Sequence, residues 1–140
     1  MATTKTYTFK SEKDVKRHIK KLLDKHGWYH WMPPANGFGK GGISDHNALR
    51  AGVFLAVEAK YDGNKPSENQ KDYLRDISAQ DGIAFVVDEK TIGWLEIWLI
   101  AFDRGIAAQH AKEEIVPEDG AAMVNAMRVL SEPYMVKDAK

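Results

Sequence analysis

Cysteine is absent from the 140-residue sequence, which excludes disulfide bonds and thiolate metal ligands. Long apolar runs are also absent: no stretch approaches the roughly 20 residues of a membrane-spanning helix. Residues 1–13 contain no apolar signal core. We therefore expect a cytoplasmic protein with no membrane partner. The length fits one domain, residues 1–140, with a single hydrophobic core.

Net charge is also lacking, because 20 Lys and Arg balance 20 Asp and Glu. The signs are unevenly distributed: residues 1–40 carry 9 basic against 3 acidic side chains, and residues 41–110 carry 7 against 11. This asymmetry suits a protein that meets phosphates at one surface and a metal ion at another. Candidate DNA-phosphate contacts are Lys13, Lys16, Lys20 and Lys21, for which a solvated helix face is an equal alternative, and Lys40 in a glycine-rich loop.

Apolar spacing, capping signals and turn residues predict a mixed α/β sandwich. The predicted elements, in chain order, are a helix over about Glu12–Lys25, strands at Trp28–Trp31, Ile43–Leu49 and Val53–Lys60, a helix over about Glu68–Ala79, a strand at Ile83–Val87, and helices at Thr91–Phe102 and Ala121–Leu130. Ser11 is the predicted N-cap of the first helix, and Pro66-Ser67 opens the second.

The strand Val53–Lys60 (VFLAVEAK) is apolar at first and ends with two charged residues. Because side chains alternate along a strand, Glu58 and Lys60 point the same way and Ala59 points the opposite way. A surface ion pair on an edge strand is the alternative, but the apolar run favours a central strand. Burying both charges there costs free energy unless something binds them.

Asp45 is expected beside Glu58, since the two predicted strands form an antiparallel pair joined by a turn at Arg50–Gly52. Two converging carboxylates repel unless a cation lies between them, and hard oxygen ligands favour Mg²⁺ or Mn²⁺. The backbone carbonyl of Ala59 is a candidate third ligand. His46 follows Asp45 and faces away from it, which favours a core or surface histidine over a metal ligand.

Two further residues are expected near these acids. Glu12 continues the inward face of the first helix and either joins the metal site or holds a second ion. Lys60 would position the attacking water or balance charge. A bound divalent ion would lower the pKa of a water and neutralise charge that develops on the phosphate.

Four sequence elements in this order resemble the PD-(D/E)XK nuclease superfamily, and within it the VRR-NUC type of small phage-like nucleases and repair-enzyme domains. The elements are Glu12, Gly42-Ile43-Ser44-Asp45, Glu58-Ala59-Lys60 and Ser67-Glu68-Asn69-Gln70. The resemblance covers about Ser11–Asp88. It departs from the family pattern at Ser44, where a Pro is usual, and at Val86-Val87-Asp88-Glu89, where the family has Val-Arg-Arg.

The resemblance implies a restriction-endonuclease-like αβββαβ core, a mixed sheet flanked by helices, over residues 11–88. Residues 91–140 would form a helical C-terminal extension. It also implies Mg²⁺-dependent (or Mn²⁺-dependent) hydrolysis of DNA phosphodiesters. Asp45, Glu58 and Glu12 take the places of metal ligands, and Lys60 and Gln70 those of further catalytic residues.

Small members of this family resemble dimeric enzymes that cut branched DNA, such as the Holliday junctions of repair and recombination. We therefore expect a homodimer, with Thr91–Lys140 as its candidate surface. Two alternatives remain open. One is a non-catalytic DNA-binding or assembly module that keeps the nuclease fold. The other is a metal enzyme that acts on a different phosphate ester, such as a nucleotide.

Overall fold

A computed structural model describes residues 8–34 and 41–135 of the chain, with side chains described as far as Ser131. Its elements are α1 (Glu12–Lys25), β1 (Tyr29–Trp31), β2 (His46–Arg50), β3 (Val53–Ala59), α2 (Glu68–Ala79), β4 (Ile83–Val87), α3 (Ile92–Ala111) and α4 (Pro117–Met135). The four strands form one mixed sheet in the order β1-β2-β3-β4. β1, β2 and β3 are antiparallel neighbours, whereas β4 runs parallel to β3. The predicted α/β class is confirmed.

Helix α1 has the predicted bounds because its two ends carry clear signals. The side chain of Ser11 accepts a hydrogen bond from the N–H of Asp14, which satisfies one of the free donors in the first turn. Gly27 follows the helix with φ of +76°, a conformation that glycine adopts without steric cost. One face of α1 is buried, through Val15, Ile19, Leu22 and Leu23.

The sheet is covered by different helices on its two faces. The larger core joins α1, α3 and α4 to one face, where Leu55, Val57 and Phe85 are fully buried. The smaller core lies under α2 on the opposite face, around Ala56 and Leu74. Because alternate β3 residues face opposite sides, Glu58 shares the α2 face with Ala56.

Several predicted boundaries differ from the structure, most of them by one residue and those of β2, α3 and α4 by more. β2 begins at His46 rather than Ile43, because the residues before it form a side-chain-bonded turn. α3 continues past Phe102 to Ala111, through an alanine-containing segment that favours helix. α4 begins at Pro117, since a proline is well tolerated in the first turn of a helix.

Among the described residues, none of the helices combines the length and apolarity needed to cross a membrane.

Candidate active site

Asp45 and Glu58 meet where β2 begins and β3 ends, as the sequence predicts. The pairing of His46 with Val57 places Asp45 opposite Glu58 in the hairpin. The N–H of Asp45 donates a hydrogen bond of 3.1 Å to Oε2 of Glu58, and the N–H of Ala59 donates one of 2.9 Å to Oδ2 of Asp45. Each carboxylate is therefore held by the main chain of the neighbouring strand.

Lys60 joins this pair from the residue after β3. Its backbone N–H donates to the carbonyl of Val87, which fixes the start of the side chain. Its Nζ lies 3.2 Å from Oε1 of Glu58 and 4.0 Å from Oε1 of Glu12. Lys60 thus connects the strand acid to the helix acid, and the predicted convergence of Glu12 on the site is observed.

Lys16 enters the site from α1, one turn after Glu12. Its Nζ lies 3.4 Å from Oε2 of Glu12 and 3.3 Å from Oδ1 of Asp45. From the sequence, Lys16 was expected to contact DNA or to lie on a solvated helix face, and its approach to Asp45 was not foreseen. The spacing of four residues from Glu12 could have indicated the first ion pair, but nothing local indicates the second.

Burial makes the electrostatics of Glu58 unusual. Only 1% of this residue is exposed. Burial first, and then the charge of Asp45, raise the pKa of Glu58 to about 7, although the Lys60 ammonium acts in the opposite direction. Near neutral pH the protonated and ionised forms of this carboxyl are therefore both present, and a cation bound beside it would favour the ionised form.

A buried polar network holds the turn that carries Asp45. The hydroxyl of Ser44 donates to Oδ1 of Asn47 at 2.9 Å, and Nδ2 of Asn47 donates to the carbonyl of Ser44 at 3.2 Å. Tyr73 of α2 donates to the same Oδ1 at 2.8 Å. Ser44 therefore contributes hydrogen bonds that a proline could not make. The sequence analysis did not single out Asn47 or Tyr73, although the polar character of this short strand was a signal.

Gly42 brings the same segment against α2. Its φ is +85°, and an added Cβ would lie 2.5 Å from the carbonyl carbon of Asn69 and 2.8 Å from its Cβ. Only glycine fits this close approach. The contact fixes the segment before Asp45 relative to the start of α2.

Other predicted site residues lie elsewhere or outside the description. Gln70 completes the capping box of α2: its Oε1 accepts from the N–H of Ser67 at 2.9 Å, and its N–H donates to the Ser67 hydroxyl. Lys13 and Lys20 are exposed on α1, whereas Lys40 lies outside the described residues. His46 is fully buried, and burial lowers its pKa to about 4, so its ring is neutral.

The donors at the site fit a small hard cation. Mg²⁺ usually takes one or two carboxylates and completes its shell with water and substrate phosphate, so an all-protein cage is unnecessary. Oδ1 of Asp45 already faces a cationic group, the Lys16 ammonium. Within residues 8–34 and 41–135, no group of three or more Asp, Glu or His side chains is arranged to hold a metal ion. Asp45 and Glu58 therefore offer a pair of carboxylates rather than such a group.

In comparisons with known proteins, no protein-family model matches the chain and no curated protein shows significant similarity to it.

Proposed function

We propose that the protein is a divalent-metal-dependent endonuclease that hydrolyses DNA phosphodiesters. The observation that carries the proposal is the interlocked pair of Asp45 and Glu58, with the Lys60 ammonium 3.2 Å from Glu58. Two acids and a lysine at the end of a hairpin could hold a metal ion beside a phosphodiester and balance charge there. The αβββαβ order of the elements supports a restriction-endonuclease-like fold for the first part of the chain.

Each residue has a distinct task in this proposal. Asp45 and Glu58 would hold Mg²⁺ or Mn²⁺, with the Ala59 carbonyl and Glu12 as further candidate ligands. When bound, the ion supplies a nucleophile at neutral pH and neutralises charge at the phosphate. The N–H of Ala59 keeps the Asp45 carboxylate oriented. Lys60 favours the ionised form of Glu58 and presents an ammonium that can donate to a phosphate oxygen.

The DNA would approach along α1. This helix brings Glu12 and Lys16 to the acids and exposes basic side chains beside them, among them Lys13 and Lys20. Close spacing of lysines along one helix provides the electrostatic attraction that a phosphate backbone requires. We assign Lys40 to the same role. Gln70, which caps α2, is retained as a candidate catalytic residue.

Branched DNA and a homodimer belong to the same proposal. Large apolar side chains are exposed on α3 and α4, including Trp94, Ile97, Val124 and Val129. A second copy that covers these helices would bury them and would place two active sites on one four-armed substrate. The cytoplasm is the proposed location.

The test is cleavage of supercoiled plasmid and of a synthetic four-way junction, each incubated with Mg²⁺, with Mn²⁺ and with EDTA. We expect metal-dependent cleavage, and we expect its rate to fall more than about 100-fold in Asp45→Asn and in Glu58→Gln. Each change replaces a negatively charged carboxylate at the metal site with a neutral amide. Free nucleotides added as competitors distinguish a polymer substrate from a small phosphate ester. Undiminished cleavage by the double variant Glu58→Ala, Lys60→Ala would refute the assignment.

A second candidate is a DNA-binding or assembly module without catalysis. It is favoured by one observation: Lys16 and Lys60 already pair with Asp45, Glu12 and Glu58, so the acids are largely compensated without a metal ion. This candidate predicts salt-sensitive DNA binding that is indifferent to EDTA, and no strand breakage in the same assays.

A further inference from the structure

We propose that Lys16 is a built-in cation that occupies the Asp45–Glu12 carboxylate pair until a metal ion binds, and that its ammonium must leave for the ion to enter. This inference rests on the proposed function, because it concerns the same metal site. It adds a form of regulation to that site, because metal binding is coupled to release of the Lys16 ammonium.

The geometry directs attention to a single oxygen. Oδ2 of Asp45 is occupied by the N–H of Ala59 at 2.9 Å, which leaves Oδ1 as the outward-facing donor. That oxygen has the Lys16 ammonium 3.3 Å away. The same ammonium is 3.4 Å from Oε2 of Glu12, so it bridges an acid of the hairpin and an acid of the helix.

Charge repulsion explains why the Lys16 ammonium and a divalent metal ion cannot occupy the site together. The three carboxylates of Glu12, Asp45 and Glu58 face two ammonium groups, so the cluster is close to compensated before any ion arrives. An added divalent ion at Oδ1 of Asp45 would lie within a few ångströms of the Lys16 charge, where repulsion is strong.

Lys16 can leave without disturbing the fold. Its side chain is 30% exposed, and a lysine stem has four rotatable carbons that carry the ammonium out to solvent. On release, the ammonium would lie on the basic surface of α1 with Lys13 and Lys20, where it can bind a phosphate. DNA whose phosphate binds the Lys16 ammonium should therefore increase the affinity for the metal ion. By linkage, the metal ion should increase the affinity for DNA by the same factor.

The test measures Mn²⁺ affinity by electron paramagnetic resonance of the free ion, with full-length protein and no DNA. Four proteins are compared with wild type: Lys16→Met, Lys16→Arg, Lys21→Met and Asp45→Asn. Lys21→Met removes one exposed charge from a different face of α1 and reports the general electrostatic effect. We expect Lys16→Met to bind Mn²⁺ about three- to fivefold more tightly, the scale of a partly exposed ion pair that no longer has to be broken.

The other variants complete the pattern. Lys16→Arg keeps the cation and should bind no more tightly than wild type, Lys21→Met should resemble wild type, and Asp45→Asn should lose binding. Equal or weaker affinity in Lys16→Met, with binding still lost in Asp45→Asn, overturns the role of Lys16 and leaves the metal site standing. Absence of any Asp45-dependent Mn²⁺ binding overturns both proposals.

A second measurement follows Lys16 in the wild-type protein, so the inference stays testable if Lys16→Met does not fold. The NMR signal of the Lys16 Nζ is expected to shift toward the position of a solvent-exposed ammonium when Mg²⁺ is added, while that of Lys21 stays in place. An unmoved Lys16 signal at saturating Mg²⁺ overturns the inference.

Discussion

The N–H of Asp45 donates to Oε2 of Glu58, and the carboxylate of Asp45 in turn accepts from the residue after Glu58. The two acids are thus positioned through the backbone of the β2–β3 hairpin. A site of this kind needs no metal ion to assemble it, because strand pairing sets the separation of the carboxylates. Because the arrangement is preformed, a substitution can change the charge of the site without changing the fold.

Replacing Glu58 with Gln should stabilise the metal-free protein above neutral pH. Burial raises the pKa of Glu58 from 4.5 to about 7, so the neutral form stabilises the fold. That contribution is fully present below pH 4.5 and is lost as the pH rises through about 7. We expect Glu58→Gln to gain about 1–3 kcal/mol in free energy of unfolding at pH 8, with part of the gain offset because Lys60 loses its partner.

Urea unfolding in EDTA at pH 4.5 and at pH 8 measures this effect. The gain should be present only at the higher pH. Glu113→Gln, at an exposed position, serves as the control and should show no such difference. A gain of equal size at both pH values would contradict the prediction.

Asp103 should show the opposite pH dependence. Burial raises its pKa, but hydrogen bonds from Arg50 and His26 outweigh burial and lower the pKa below 3.8. Its stabilising contribution is therefore present above pH 3.8 and is lost as the pH falls through the lower folded value. Asp103→Asn should lower the thermal midpoint at pH 7, and the difference from wild type should shrink in acid. A difference that grows below pH 4 would be inconsistent with these ion pairs.

Lys60→Met should separate metal binding from turnover. The Lys60 ammonium lowers the pKa of Glu58, so its removal should move that pKa upward from about 7. We expect DNA cleavage at pH 7 to fall at least about 100-fold, as when a group that acts on the transition state is lost. Mn²⁺ binding at pH 8.5 should persist because Asp45 is intact.

Single-turnover rates and Mn²⁺ titrations as a function of pH give both quantities for Lys60→Met. Lys90→Met, which removes an exposed lysine after β4, is the matched control. A loss of metal affinity equal to that in Asp45→Asn would show that Lys60 acts in binding rather than in the chemical step.

Gly42→Ala should be far more damaging than Gly63→Ala. Both glycines have positive φ, of +85° and +77°, so both variants bear the same backbone strain of about 1 kcal/mol. Only at Gly42 would the new Cβ collide, at 2.5 Å from the backbone of Asn69, whereas nothing lies within 4 Å at Gly63. Comparison of their free energies of unfolding and cleavage rates isolates the contact with α2. Equal destabilisation would show that this contact is not tight.

The sequence predicts those parts of the structure that depend on neighbours along the chain. The bounds of α1 and α2 follow from Ser11 and Ser67, whose side chains cap their own helices. The Asp45–Glu58 approach follows from a hairpin with a tight turn, for which alternation and register suffice. The local sequence pattern is therefore sufficient to predict that Asp45 and Glu58 lie close together.

Contacts between distant elements are not predictable in this way. The ion pair of Lys16 with Asp45 depends on how the start of α1 lies across the end of the sheet. The cluster of His26, Arg50 and Asp103 joins α1, β2 and α3, and its members are up to 77 positions apart. The amide of Gln70 could serve either a capping box or the acids, and the spacing alone does not choose between these.

The short strand β2 has one more consequence. Asp45 immediately precedes it, and Arg50, bound to Asp103 and to the carbonyl of His26, ends it, so about 16 Å of extended chain separates the acids from this anchor. The acids of the proposed site and the ion pair of Arg50 with Asp103 therefore lie at opposite ends of β2. A variant altered only at Asp45 should therefore keep its fold, and under the proposed function it would bind DNA without cleaving it.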